Sequence, residues 1–149
     1  MTGSILLALH LLGAAAWVGG MAFALIVLRP SLAVLPPPQR LALHGAVFRR
    51  FFLLVWHAMP LVLLSGYGLL FGVYGGFAGV HPLVHLMHLL GLAMAAVFAV
   101  IYFGPWRRLQ AALAGEAPEQ APAALARIRL LVTLNLALGT LTIVVAAFA

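Results

Sequence analysis

From Phe51 to Trp106 the chain reads FFLLVWHAMPLVLLSGYGLLFGVYGGFAGVHPLVHLMHLLGLAMAAVFAVIYFGPW, and no residue in it is charged. A membrane-spanning helix takes about 20 apolar residues. This stretch is too long for one span and suits two with a tight turn. The turn is Gly75-Gly76-Phe77-Ala78-Gly79, followed by His81-Pro82. Glycine supports turns, and proline is tolerated at a helix start. Two spans follow, over residues 51–74 and 82–104.

The flanks repeat the pattern. Residues 4–28 supply a first span, ended by Arg29-Pro30. Pro36-Pro37-Pro38 then excludes helix from the linker. A helix restarts near Gln39, with interfacial first turns through Arg49-Arg50. After Arg107-Arg108 comes the one polar loop, residues 115–122, and a last span over 130–149 led in by Arg127 and Arg129. The first apolar run has no basic residue before it and is longer than a signal-peptide core, so it reads as a retained span. No internal repeat is visible.

Composition agrees. Hydrophobic residues make up 66% of the 149, and charged ones only 7%, against about 25% in soluble domains. The expected fold is all-α: one domain, residues 1–149, an integral membrane four-helix transmembrane bundle with the lipid bilayer as its surroundings. Absent cysteine excludes disulfides, thiolate metal sites and cysteine nucleophiles. No buried carboxylate is available for hydrolytic chemistry, because both Glu lie in the polar loop. The arginines sit at the ends of apolar runs, with no basic run carrying interleaved aromatics, so nucleic acid is not a partner. They occupy the first and third connections and neither the middle turn nor the chain ends. The positive-inside rule then places both termini outside (N-out/C-out) in a bacterial inner membrane.

Ionisable groups at membrane depth suggest function, and the chain has six histidines. His10 lies six residues into the first span, and His85 and His88 lie three and six into the third. All three fall at similar heights near the turn end, with His81 just above them. On the third helix His81, His85, His88, Leu92, Ala95, Ala99 and Tyr102 form one stripe. On the first, His10, Gly13, Ala14, Trp17 and Gly20 form another, whose small residues admit a neighbouring backbone or a flat cofactor. Both stripes are expected to face the bundle interior. One reading is structural, each histidine bonding across helices. A second is haem, held axially by histidines of two helices. A third is a nitrogen-rich copper or zinc site of His10, His81, His85 and His88, with Met87 and Met94 as soft candidates. His57, near Trp56, Ser65, Tyr67 and a kinking Pro60, is expected to bond a backbone group freed by the kink, with a second metal site as the alternative. His44 reads as interfacial. Asn135 and Gly139 share a face on the last span, for interhelical bonding and close packing.

The segment His10-Leu11-Leu12-Gly13-Ala14-Ala15-Ala16-Trp17-Val18-Gly19-Gly20-Met21-Ala22-Phe23 resembles the first span of CopD-like membrane proteins. Phe48-Arg49-Arg50-Phe51-Phe52, His85-Leu86-Met87 and the run from Arg127 to Gly139 continue the resemblance over nearly the whole chain. The short four-span bacterial CopD family is the most similar. HemJ proteins, haem-binding protoporphyrinogen oxidases, share a first-span His with a downstream Trp-x-Gly pattern. The resemblance implies His10 and His85 as haem or metal ligands. It departs from HemJ in a third-span His-x-x-Lys pattern, whose lysine position resembles His88, and this puts porphyrinogen oxidation in doubt.

The sequence thus leads to a b-type haem protein of membrane redox chemistry or electron transfer. His10 and His85 are the axial ligands, with His88 competing, in a pocket shaped by Trp17, Gly13 and Gly20. If an enzyme, it is a membrane oxidoreductase, with a quinone or a redox protein as electron partner. The alternatives are a copper-handling protein with a histidine-rich site near the outer face, and a cofactor-free structural subunit. A homo-oligomer is compatible with each.

Overall fold

A computed structural model describes residues 1–149 as four long helices and no strand. They are α1 (Thr2–Val34), α2 (Pro37–Gly72), α3 (Pro82–Leu113) and α4 (Pro118–Ala146), each long and apolar enough to cross a membrane. The chain is a multi-pass membrane protein.

The helices outrun the expected spans because several expected breakers lie where helix tolerates them. Arg29-Pro30 does not end α1. There the backbone passes through π-type turns over Phe23–Leu28, and the Arg29 N–H bonds the Ala24 carbonyl, five residues back. Proline lacks an N–H and crowds the preceding turn, and the widened turns carry the helix past Pro30. The three prolines do not form the linker either. Pro37 and Pro38 occupy the opening positions of α2, where the missing N–H costs nothing. Arg107-Arg108 likewise lies within α3, after a second π-type segment, Tyr102–Trp106, built around Pro105. Pro60 lies inside α2, which continues through it.

The helices form two antiparallel pairs. α1 packs along α2, α3 packs along α4, and α1 also meets α4. The backbones of α2 and α3 approach mainly at the Arg107–Leu113 end. Between them, Phe48, Phe52 and Trp56 of α2 interleave with Phe98, Tyr102 and Trp106 of α3. Ring centroids lie 5.2 Å apart for Phe52–Trp106, 5.4 Å for Trp56–Phe98 and 5.3 Å for Trp56–Tyr102, all edge-to-face. Both triplets sit at i, i+4, i+8 on one helix face. Such pairs contribute about 0.5–1.5 kcal/mol each beyond their burial.

The continuous core belongs to this arginine-bearing half. It includes Trp17, Met21, Phe52, Val55, Phe98, Trp106, Leu109 and Ile128. Toward the turn end burial thins to Ser65, Leu70, Leu90 and a few α4 positions.

The two predicted stripes fare differently. On α1, Gly13 and Trp17 are buried and His10 is half-buried, as expected. What comes close, however, is α2. A Cβ at Gly13 would stand 2.7 Å from Val62 Cγ2, and one at Gly20 2.5 Å from Phe51 Cε2. The two glycines therefore serve helix packing, and Trp17 is part of the core. On α3 the buried stripe is Leu90, Met94, Phe98 and Ile101. The histidine stripe is rotated off it, with His81, His85 and Leu92 exposed. The interior goes to side chains that interdigitate with neighbouring helices, because in lipid it is close packing and not removal from water that selects the inner face.

Candidate functional site

The turn end carries the polar chemistry of the bundle, in two clusters. The first joins α1 to α2. His10 Nδ1 lies 2.9 Å from the Val62 carbonyl oxygen and 3.3 Å from Ser65 Oγ. A carbonyl only accepts, so Nδ1 carries the hydrogen and donates, leaving Nε2 without a protein partner. Ser65 in turn donates to the Leu61 carbonyl of its own helix. Gly66 makes room: a Cβ there would stand 3.1 Å from His10 Cε1.

The second cluster joins α2, the turn and α3. His88 is half-buried, with Nε2 3.3 Å from the Tyr67 hydroxyl. His85 is exposed and stacks on Phe77 at 5.5 Å between centroids, and His88 meets the same ring edge-on at 5.3 Å. His81 caps α3, its Nδ1 accepting the Leu83 N–H at 3.3 Å.

These placements revise the expected site. The Nδ1 edge of His10 turns to α2, where its hydrogen-bond partners are. His10 is held by α2 through Nδ1, and His85 by stacking on Phe77. No three of the His and Glu side chains gather closely enough to hold one metal ion. His81, His85 and His88 form a row on one helix face, with His10 on another helix. His57 is exposed and bonds the Leu53 carbonyl at 2.8 Å, one turn back; the carbonyl that Pro60 frees belongs to Trp56. Gly139 packs closely as expected, its virtual Cβ 2.8 Å from Val18 Cγ2. Asn135, by contrast, makes no interhelical bond through its buried carbonyl oxygen, which has no partner.

Gly66, Phe77 and the Val62 carbonyl join the site without standing out in the sequence. Ser65-Gly66 in the middle of an apolar helix was the available signal, since small residues mark close approach. Nothing local distinguished Phe77 from a turn residue.

At the other end, His44 lies in the turns of α2 ahead of the expected span. It stacks on Phe48 at 5.5 Å. Its Nδ1 is buried and has no partner. Burial, then the charges of Arg29 and Arg40, hold its imidazole below the ordinary range near 6.5.

Four apolar helices with arginines at one end and most of the histidines toward the other define a polytopic membrane protein. The family model described as CopD, Copper resistance protein D, matches residues 45–149. The chain belongs to the CopD family. No curated protein and no solved structure matches it. The family match includes His57, His81, His85 and His88, and leaves His10, Gly13, Trp17 and Gly20 outside it.

Proposed function

We propose that this chain is a copper-handling protein of the bacterial inner membrane, with copper as cargo and the turn-end histidines as the place where it is met. The family match over residues 45–149 carries the reading. The chemistry of the donors supports it. Imidazole suits copper, and thioether adds a soft ligand for the cuprous ion. His85 is exposed at the chain surface, His88 follows one turn on, and Met87 lies between them, half-buried. The Tyr67 hydroxyl orients His88 from outside the ligand set, a kind of support that tunes ligands. A row of imidazoles along one helix face suits an ion that is passed on more than one that is retained.

The test is a titration of the purified, membrane-reconstituted protein with Cu(I) against a chromogenic competitor. The wild-type chain is expected to hold copper, and His85→Ala/His88→Ala to lose it. His57→Ala should bind as wild type. Tyr67→Phe, which removes a supporting group, should weaken binding about tenfold. Unchanged copper binding by the double variant would end this reading.

One observation favours a second reading, b-type haem. A ring fixed through Nδ1 with Nε2 bare is how a protein presents an axial histidine, and His10 is so held. Haem would supply one-electron chemistry, with a quinone or redox protein as partner; His10 would hold it, and Ser65 and Val62 would orient that ring. A Soret band that vanishes in His10→Ala would select this reading. A stable chain with neither copper nor haem would select the structural subunit.

A further inference from the structure

The arginine end holds a feature that copper handling does not use. Two adjoining clefts lie between α1 and α4. The larger is an open groove of about 410 Å³ lined by Leu25, Ile26, Arg29, Arg129, Leu130 and Leu136, among others. The second, about 230 Å³, shares Leu25, Arg29 and Arg129 and reaches His44. We propose that this composite cleft binds an anionic phospholipid, with its phosphate between Arg29 and Arg129 and an acyl chain along Leu25, Ile26, Leu130 and Leu136.

Charge comes first. Arg29 and Arg129 come from different helices and border both clefts. The chain has two acidic side chains, Glu116 in the loop before α4 and Glu119 in its first turn, against eight arginines. Arg40 is already committed, donating to the Ala33 and Leu35 carbonyls. Arg29 and Arg129 have no such use. A guanidinium takes phosphate with paired, charge-assisted hydrogen bonds, and basic groups at a membrane boundary attract anionic lipid.

Shape and position then choose among anions. Below the arginines the wall is apolar apart from Thr133, whose hydroxyl donates to the Arg129 carbonyl, and Ile26 and Leu130 face outward, 68% and 58% exposed. A soluble phosphate would leave that track unused, whereas a lipid places its chain there. The π-type turns of α1 supply Leu25 and Ile26 directly. Such widened turns interrupt regular helix packing and recur at binding sites. The site stands apart from the histidine clusters and is independent of the copper reading.

The experiment is native mass spectrometry of the detergent-solubilised full chain with phosphatidylglycerol or phosphatidylcholine. The wild-type protein should retain phosphatidylglycerol preferentially. Arg29→Gln/Arg129→Gln should lose that preference at least about tenfold, the loss of two charge-assisted contacts. Arg107→Gln/Arg108→Gln removes the same charge at the same end and should stay within about twofold, since neither residue borders the clefts. Ala126 borders both clefts, so Ala126→Trp should block the lipid while both arginines remain. Equal losses from the two arginine pairs, or no loss from either the cleft pair or Ala126→Trp, would overturn the proposal. Displacement of the lipid by millimolar inorganic phosphate would overturn it too, because the acyl track would then contribute nothing.

Discussion

His44 shows how a single residue reports its surroundings. Arg29 from α1, Arg40 from its own helix and Arg129 from α4 stand around it or its cleft. Burial and the first two hold its imidazole below 6.5, so the folded chain resists a proton that the unfolded chain takes near 6.5. The unfolded state therefore binds more protons as pH falls. Stability is full above that value and declines as pH drops through it. We expect the thermal midpoint in detergent to fall between about pH 7 and pH 5, and His44→Phe, which keeps the ring against Phe48, to flatten that profile. An unchanged slope in the variant would refute the assignment. The residue scale also shows what a linear reading can reach. The height of each histidine followed from counting along the spans. The hydrogen-bond partner of His10 did not, because it depends on how α1 rotates against α2.

At the scale of elements, α1 and α2 are held by the absence of side chains at chosen points. Gly13 lies where a Cβ would press on Val62 and come within 3.3 Å of the Ala58 carbonyl, whereas Gly19 has nothing within 4 Å. Gly13→Leu should cost about 1–3 kcal/mol by overpacking and release His10 from Val62. Gly19→Leu should leave stability unchanged. Unfolding in mixed micelles compares the two. Helix identity was legible from apolar length alone, since a bilayer permits few alternatives. Helix ends were not. Proline and arginine read as terminators, yet π-type turns absorb Pro30 and Pro105, and Pro37 and Pro38 begin a helix. The facing of α3 departs from expectation because Met94, Phe98 and Ile101 interdigitate with neighbouring helices and so occupy the interior in place of the histidine stripe.

For the whole molecule, the distribution of arginine predicts which side each loop occupies. The chain contains no cysteine, so single introduced thiols report without background. Ala78→Cys, in the turn, should react with a membrane-impermeant maleimide on intact cells. Glu116→Cys should react only after permeabilisation. The opposite pattern would reverse the orientation. Membrane class, four helices and the family were all legible in the sequence. The separation of the histidines into two clusters was not, because it follows from the pairing of α1 with α2 and α3 with α4.

The uneven core has a mechanical consequence. The interleaved rings of Phe48, Phe52, Trp56, Phe98, Tyr102 and Trp106 clamp the two helix pairs near the arginines, while little buried side chain joins α2 to α3 beyond them. Low local packing is where opening is easiest. The two pairs are therefore fastened most firmly at the arginine end, and toward the turn they are tied by half-buried contacts such as Tyr67–His88. His10 belongs to one pair and His85 to the other, so loss of an aromatic ring at the arginine end should be felt first in how firmly the two histidine clusters are held.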